Sequence, residues 1–231
     1  MTQIRLKTGL DKGPAEVCAE VDSASDQMRP PSFLLTHGAG GSLATPGLRA
    51  LGAALAERGF LVVRADLPYR AAGRKTPPKA ESSVAGFAGV VQEARRRFGG
   101  RSWVVGGRSY GGRVASLAVA WGLNVSGLLL YSYPLHRPGD PSTPRVDHWP
   151  QISVPTLFLE GTNDPFCDPA TFERCLPLLA GKATVHTVEG GDHSLRVSRK
   201  NAPDGVAVSE AKVAVALARV ADAWAVDLAG C

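Results

Sequence analysis

A chain of 231 residues, 44% hydrophobic and 20% charged, has enough apolar side chain for a sizeable core, and a single α/β domain spanning 1–231 is ordinary at this length. Its 26 basic and 21 acidic residues leave a net charge of +5, and no basic stripe interleaved with aromatics runs along it, so nucleic acid is not expected as a partner. The longest apolar stretch, 114–131, is broken by Gly122, Asn124, Ser126 and Gly127 and reads as a helix followed by a strand, so no membrane partner is expected either.

The opening MTQIRLKTGLDKG has no apolar run of the secretory kind. The four cysteines, Cys18, Cys167, Cys175 and Cys231, form no C-x-x-C pair and no cluster with zinc spacing. Free thiols and a cytoplasmic location are the expectation. Two alternating segments, 4–7 and 15–21, flank Gly9, Gly13 and Pro14 and predict a hairpin within about 1–24. A short buried strand follows at 32–36. Leu48, Leu51 and Leu55 mark one face of a helix that stops at Gly59, and 60–64 is the next strand.

After a basic loop, Val84, Phe87, Val91, Ala94 and Phe98 recur at offsets of three and four, an amphipathic helix with Arg95, Arg96 and Arg97 on its solvated face. Strands are expected at 103–105, 125–131, 156–160 and 183–188, and a helix from Phe172 to Leu179. A last helix carries Val206, Val213, Leu217, Val220 and Trp224 on one face. A leading hairpin and then repeated strand–helix units predict an eight-stranded, mostly parallel sheet covered on both faces by helices.

Between the strand at 103–105 and the helix after it stands Gly107-Arg108-Ser109-Tyr110-Gly111. This is G-x-S-x-G, the nucleophile elbow, in which a sharp strand-to-helix turn lifts the serine hydroxyl clear of the sheet. The elbow needs an acid and then a histidine, each after a later strand. The strand at 156–160 runs into GTNDPF, which offers Asp164, and that at 183–188 runs into EGGDHSL, which offers His193. Both fall where an open α/β sheet builds its sites, beyond the carboxyl ends of strands. The other candidates fit less well. His186 lies within a strand, His136 and His148 precede the acid, Asp192 reads as a turn residue, and Asp168 reads as the N-cap of the following helix.

Thr36-His37-Gly38-Ala39-Gly40-Gly41 follows the strand at 32–36, and its small residues let main-chain N–H groups face a developing charge. The N–H groups of Ala39 and Tyr110 are the expected oxyanion donors. Two phosphate readings fail: Leu43 stands where G-x-G-x-x-G needs its last glycine, and the serine segment has no G-K-[ST].

The segments HGAGG, GGRSYGGR, YPLHRPG, FLEGTNDPF and GGDHSL resemble the α/β-hydrolase fold. More narrowly, the chain resembles the small dienelactone-hydrolase-like group of predicted hydrolases that includes testis-expressed and NSL-type chromatin-complex members. The resemblance covers most of the chain, from Ser32 to Trp224, and one departure stands out: dienelactone hydrolases use a cysteine nucleophile, whereas position 109 is serine. The motifs imply a serine hydrolase acting on an ester-type bond of a small acyl substrate, with Ser109, His193 and Asp164 as triad and no metal or organic cofactor. A non-catalytic interaction protein on the same fold is the alternative.

Two loops are expected beside the serine. The Pro-rich segment at about 132–155 is too short for a lid domain and forms an irregular wall, and LPYRAAGRKTPPK reaches the mouth from another strand. They bring Arg70, Arg74, Lys75, His136 and Arg137 to the site, where His37, Gly40, Arg70, His136 and Arg137 are the expected substrate contacts. Those charges suit a small anionic acyl group, or simply a solvated surface.

Overall fold

The computed structural model describes residues 1–24, 28–100 and 102–229. β1 (Thr2–Lys7) and β2 (Glu16–Asp22) pair antiparallel, with Ile4 opposite Ala19, as the predicted hairpin. Next come β3 (Arg29–Thr36), α1 (Pro46–Ala56), β4 (Phe60–Ala65), the single turn α2 (Pro68–Ala71) and α3 (Val84–Phe98). Then follow β5 (Trp103–Arg108), α4 (Tyr110–Ala120), β6 (Gly127–Tyr131), β7 (Thr156–Gly161), α5 (Pro169–Cys175), β8 (Ala183–Val188) and α6 (Glu210–Ala229).

Among the described residues the eight strands form one sheet in the order β1-β2-β4-β3-β5-β6-β7-β8. β2 joins β4 antiparallel, and every pairing from β4 to β8 is parallel. The central strands are unbroken apolar runs because both of their faces are covered. Alternate residues serve opposite layers. Leu61, Val63 and Ala65 of β4 pack with Phe87 and Val91 of α3 and Val114 of α4. Phe60 and Val62 pack on the other side with Leu48, Leu51 and Leu55 of α1 and Leu217 and Trp224 of α6.

Three local expectations change. Val206 is exposed and lies ahead of α6, because Asp204 accepts its N–H (2.9 Å) and Gly205 turns the chain at φ 70°. The helix expected from Phe172 to Leu179 starts earlier, at Pro169, and passes into a 3-10 turn over Leu176–Leu178, where Pro177 cannot continue the helical ladder. Arg96 and Arg97 are exposed as expected, but Arg95 is half-buried and donates to the Asn124 carbonyl.

Cys18, Cys167 and Cys175 are free, and Cys231 lies outside the described residues. No helix among the described residues is long and apolar enough to cross a membrane.

Candidate active site

β5 ends at Arg108 and α4 begins at Tyr110, so one residue makes the whole turn. That residue, Ser109, sits at φ 51° and ψ −117°, a strained region for a side chain with a Cβ. Its neighbours hold it there: Ser109 N–H donates to the Tyr131 carbonyl (2.8 Å), and the Ser109 carbonyl accepts from Arg113 N–H (3.0 Å). The motif glycines answer to close approach. A Cβ on Gly107 would stand 2.4 Å from the Thr36 oxygen, and one on Gly111 would stand 2.5 Å from the His37 oxygen. The end of β3 and the loop after it therefore press directly on the elbow.

The loops after β7 and β8 are joined to each other. Thr162 N–H donates to the Val188 carbonyl (3.1 Å), Asn163 N–H to the Gly191 carbonyl (2.9 Å), and Gly190 N–H to the Thr162 hydroxyl (2.8 Å). Asp192 is the turn residue expected, its carboxylate accepting from the N–H groups of Ser194 and Arg196. Asp168 caps α5 by accepting from Thr171 N–H at 2.8 Å.

These loops bring Ser109, His193 and Asp164 into one hydrogen-bonded row. Ser109 Oγ is 2.8 Å from His193 Nε2, and His193 Nδ1 is 2.7 Å from Asp164 Oδ2. The other Asp164 oxygen accepts from Phe166 N–H (2.8 Å), and the carboxylate is fully shielded from solvent. With Nδ1–H given to the carboxylate, Nε2 is left to accept the serine proton. The Phe166 ring lies over the imidazole at 4.2 Å between centroids.

Ala39, Tyr110, Ser109 and His193 all line one open cleft of about 410 Å³. Among the described residues, neither Ala39 N–H nor Tyr110 N–H donates to a chain acceptor, so both remain available to a bound group.

The residues expected to contact substrate lie elsewhere. His37 is fully buried: its Nδ1–H donates to the Gly38 carbonyl (2.8 Å), and its Nε2 accepts from Leu67 N–H (3.1 Å). Burial lowers its pKa, and the ring acts as a neutral strut beneath the glycine loop. His136 is likewise buried, donating to the Arg137 carbonyl and accepting from Asp168 N–H, both at 2.8 Å. Gly40 makes the bend of that loop at φ 69°. Arg70 and Arg137 are not among the walls of the cleft.

The sequence reading missed the residues that do wall it: Lys79, Arg108, Arg113, Arg145 and Phe166. Only Phe166 carried a local signal, an aromatic two positions after the acid in NDPF.

Known structures share this arrangement of elements. Est1E from Butyrivibrio proteoclasticus superposes with a TM-score of 0.74 at 14% identity, over 96% of this chain and 99% of that one. The protein XC6422 from Xanthomonas campestris, described as an α/β serine hydrolase without lid, gives 0.64 at 20% identity over 83% and 85% of the two chains. A dienelactone hydrolase from Anabaena variabilis gives 0.66 at 17% identity over 96% and 95%. At such identities the likeness is one of fold. Residues 29–222, which run from β3 into α6 and include the elbow and both later loops, match the family described as alpha/beta hydrolase domain, and the chain belongs to that family.

Proposed function

We propose that this protein is a serine hydrolase that cleaves an ester-type bond through an acyl-enzyme. The observation that carries the reading is the unbroken row from Ser109 Oγ through His193 to Asp164, standing at the wall of a cleft. Ser109 Oγ attacks the carbonyl carbon while His193 Nε2 takes its proton. The charge that develops on the carbonyl oxygen is met by the N–H groups of Ala39 and Tyr110. His193 returns the proton to the departing alkoxide or thiolate. Water then attacks the acyl-enzyme, His193 again serving as base, and the acid leaves as Ser109 regains its proton. Asp164 keeps the imidazole in the productive tautomer and stabilises its cationic form.

Among the described residues no lid domain stands over the cleft: the chain from Ser132 to Pro155 is irregular, with a single 3-10 turn at Trp149–Gln151. This openness suits a small substrate, and XC6422 is described as lidless in the same way. We further read the HGAGG and GGRSYGGR motifs as placing the chain with the dienelactone-hydrolase-like group that includes testis-expressed and NSL-type members. The free thiols of Cys18, Cys167 and Cys175 support a cytoplasmic setting.

The test is labelling with a fluorophosphonate, followed by intact mass. Wild type is expected to take up one probe, and Ser109→Ala and His193→Ala none. A correctly folded wild type that takes up no probe would reject the hydrolase reading in favour of an interaction protein on this fold.

A further inference from the structure

The two loops expected at the mouth of the site do reach it, but they present different cations. Lys79 comes from the loop before α3, Arg145 from the Pro-rich segment, and Arg108 and Arg113 from either side of Ser109. Among the described residues that wall the cleft, none is Asp or Glu.

The four cations are unequally neutralised. Arg108 is answered by Glu210, at 3.7 Å, and by the His193 loop. Arg113 is bound by Glu81, at 2.9 Å; Arg113 and Arg145 also line a neighbouring groove with Glu81 and Asp147, and neither of those carboxylates lines the Ser109 cleft. Arg113 Nε is buried with no acceptor. Among the described residues Arg145 Nη1 donates to the Pro134 carbonyl alone, at 3.4 Å. Among the described residues neither Arg145 nor Lys79 forms a direct ion pair, although the Glu81 charge acts on both from beyond contact distance. Burial first, and the Arg113 charge next, lower the proton affinity of Arg145, which agrees with two guanidiniums held near each other.

A fold that concentrates like charge beside a nucleophile, with nothing negative on the same wall, favours an anion there. Guanidinium forks match the two oxygens of a carboxylate. The same cleft is also walled by Pro77, Pro78, Ala80 and Phe166, apolar surface that suits a short carbon skeleton between the anion and the scissile bond.

We propose that the Ser109 cleft selects esters bearing a carboxylate, held by Arg113 and Arg145 with Lys79 at the rim, an inference that rests on the hydrolase reading above.

Two matched pairs of esters test it. One pair places the charge on the acyl side, para-nitrophenyl hemiglutarate against para-nitrophenyl valerate. The other places it on the leaving group, 4-acetoxybenzoate against phenyl acetate. The readout is the ratio of kcat/KM within each pair, with fluorophosphonate titration of Ser109 counting active molecules. In at least one pair the anionic ester is expected to be favoured by about tenfold or more, the worth of one charge-assisted hydrogen bond, and raised salt is expected to reduce the preference. Arg145→Gln is expected to collapse the ratio, Arg145→Lys to retain part of it, and Arg96→Gln, on the exposed face of α3 away from the cleft, to leave it unchanged. If Arg145→Gln does not fold, Lys79→Gln and Arg145→Lys carry the same comparison. Equal kcat/KM within both pairs, with Ser109 fully titrated, overturns the substrate assignment while the hydrolase reading stands. Failure of Ser109 to titrate at all removes both.

Discussion

The side chain of Arg108 grips the loop that carries His193: its Nη2 donates to the His193 carbonyl at 3.1 Å and to the Ser194 hydroxyl at 2.7 Å. The residue just before the proposed nucleophile therefore sets the position of the proposed base, far away in sequence. Small displacements of a base cost rate steeply. Arg108→Gln is expected to lower kcat by about 10- to 100-fold with little change in KM, and Arg108→Lys to lower it less. The rate of fluorophosphonate labelling per folded molecule separates positioning from mere stability. A variant with a lower Tm but a normal labelling rate would show that Arg108 only supports the fold.

Gly111 offers a second test of how tightly the elbow is built. A methyl group there would meet the His37 oxygen at 2.5 Å and Thr36 Cγ2 at 2.8 Å, and the first of these is backbone. The glycine loop must retreat to make room, and Ala39 moves with it. Gly111→Ala is expected to cost about 1–3 kcal/mol in urea unfolding and to reduce kcat more than it raises KM. Unchanged stability together with unchanged kcat would contradict the close packing described.

Arg64 is buried in the sheet at 1% exposure. Its Nε donates to Asp22 Oδ2 at 2.6 Å, and its other nitrogens donate to Glu20 Oε2 at 2.7 Å and the Leu43 carbonyl at 2.6 Å. It ties the hairpin strand β2 to β4 and to the loop ahead of α1. Removing one partner of a buried pair strands the other, so Arg64→Met alone is expected to destabilise by about 3–5 kcal/mol. Asp22→Asn in the same background is expected to recover part of that loss, read from urea midpoints.

The sheet and the row of candidate residues were legible because their signals are local. Apolar runs ended by glycine or proline mark the strands, and a serine between paired glycines at a strand end marks the elbow. The ring nitrogens of His37 and His136 were not legible. Each bridges two main-chain groups inside a loop, and nothing in a sequence distinguishes such a strut from a ligand-facing imidazole. The cations failed for a related reason. Lys75 and Lys79 share one loop and Arg137 and Arg145 share another, and only the path of each loop decides which of them turns to the cleft.

Two buried groups set opposite pH dependences on stability. Glu160, 4% exposed, accepts from Tyr133 N–H at 2.7 Å, and burial, with the Asp164 carboxylate adding to it, pushes its pKa well above the usual carboxyl value. The folded state holds that proton where the unfolded chain, with a value near 4.5, releases it. The stability linked to Glu160 is therefore full below about pH 4.5 and lost as pH rises toward the folded value. Glu160→Gln keeps the Tyr133 bond and cannot ionise, so it is expected to gain on wild type as pH rises above about 4.5.

His148 runs the other way. Burial first, and the Arg113 charge next, lower its pKa from 6.5 to about 4, and its Nε2 lies 2.8 Å from the Ser116 hydroxyl. The unfolded chain takes up a proton below 6.5 that the folded ring refuses until about 4. The stability linked to it is full above about pH 6.5 and falls as pH drops through that window, by about 3 kcal/mol in all. His148→Asn is expected to be less stable than wild type at pH 8 and to close that gap as pH falls to 4. Urea midpoints of wild type and the two variants across this range separate the groups, and parallel curves for all three would show that neither proton is linked to folding.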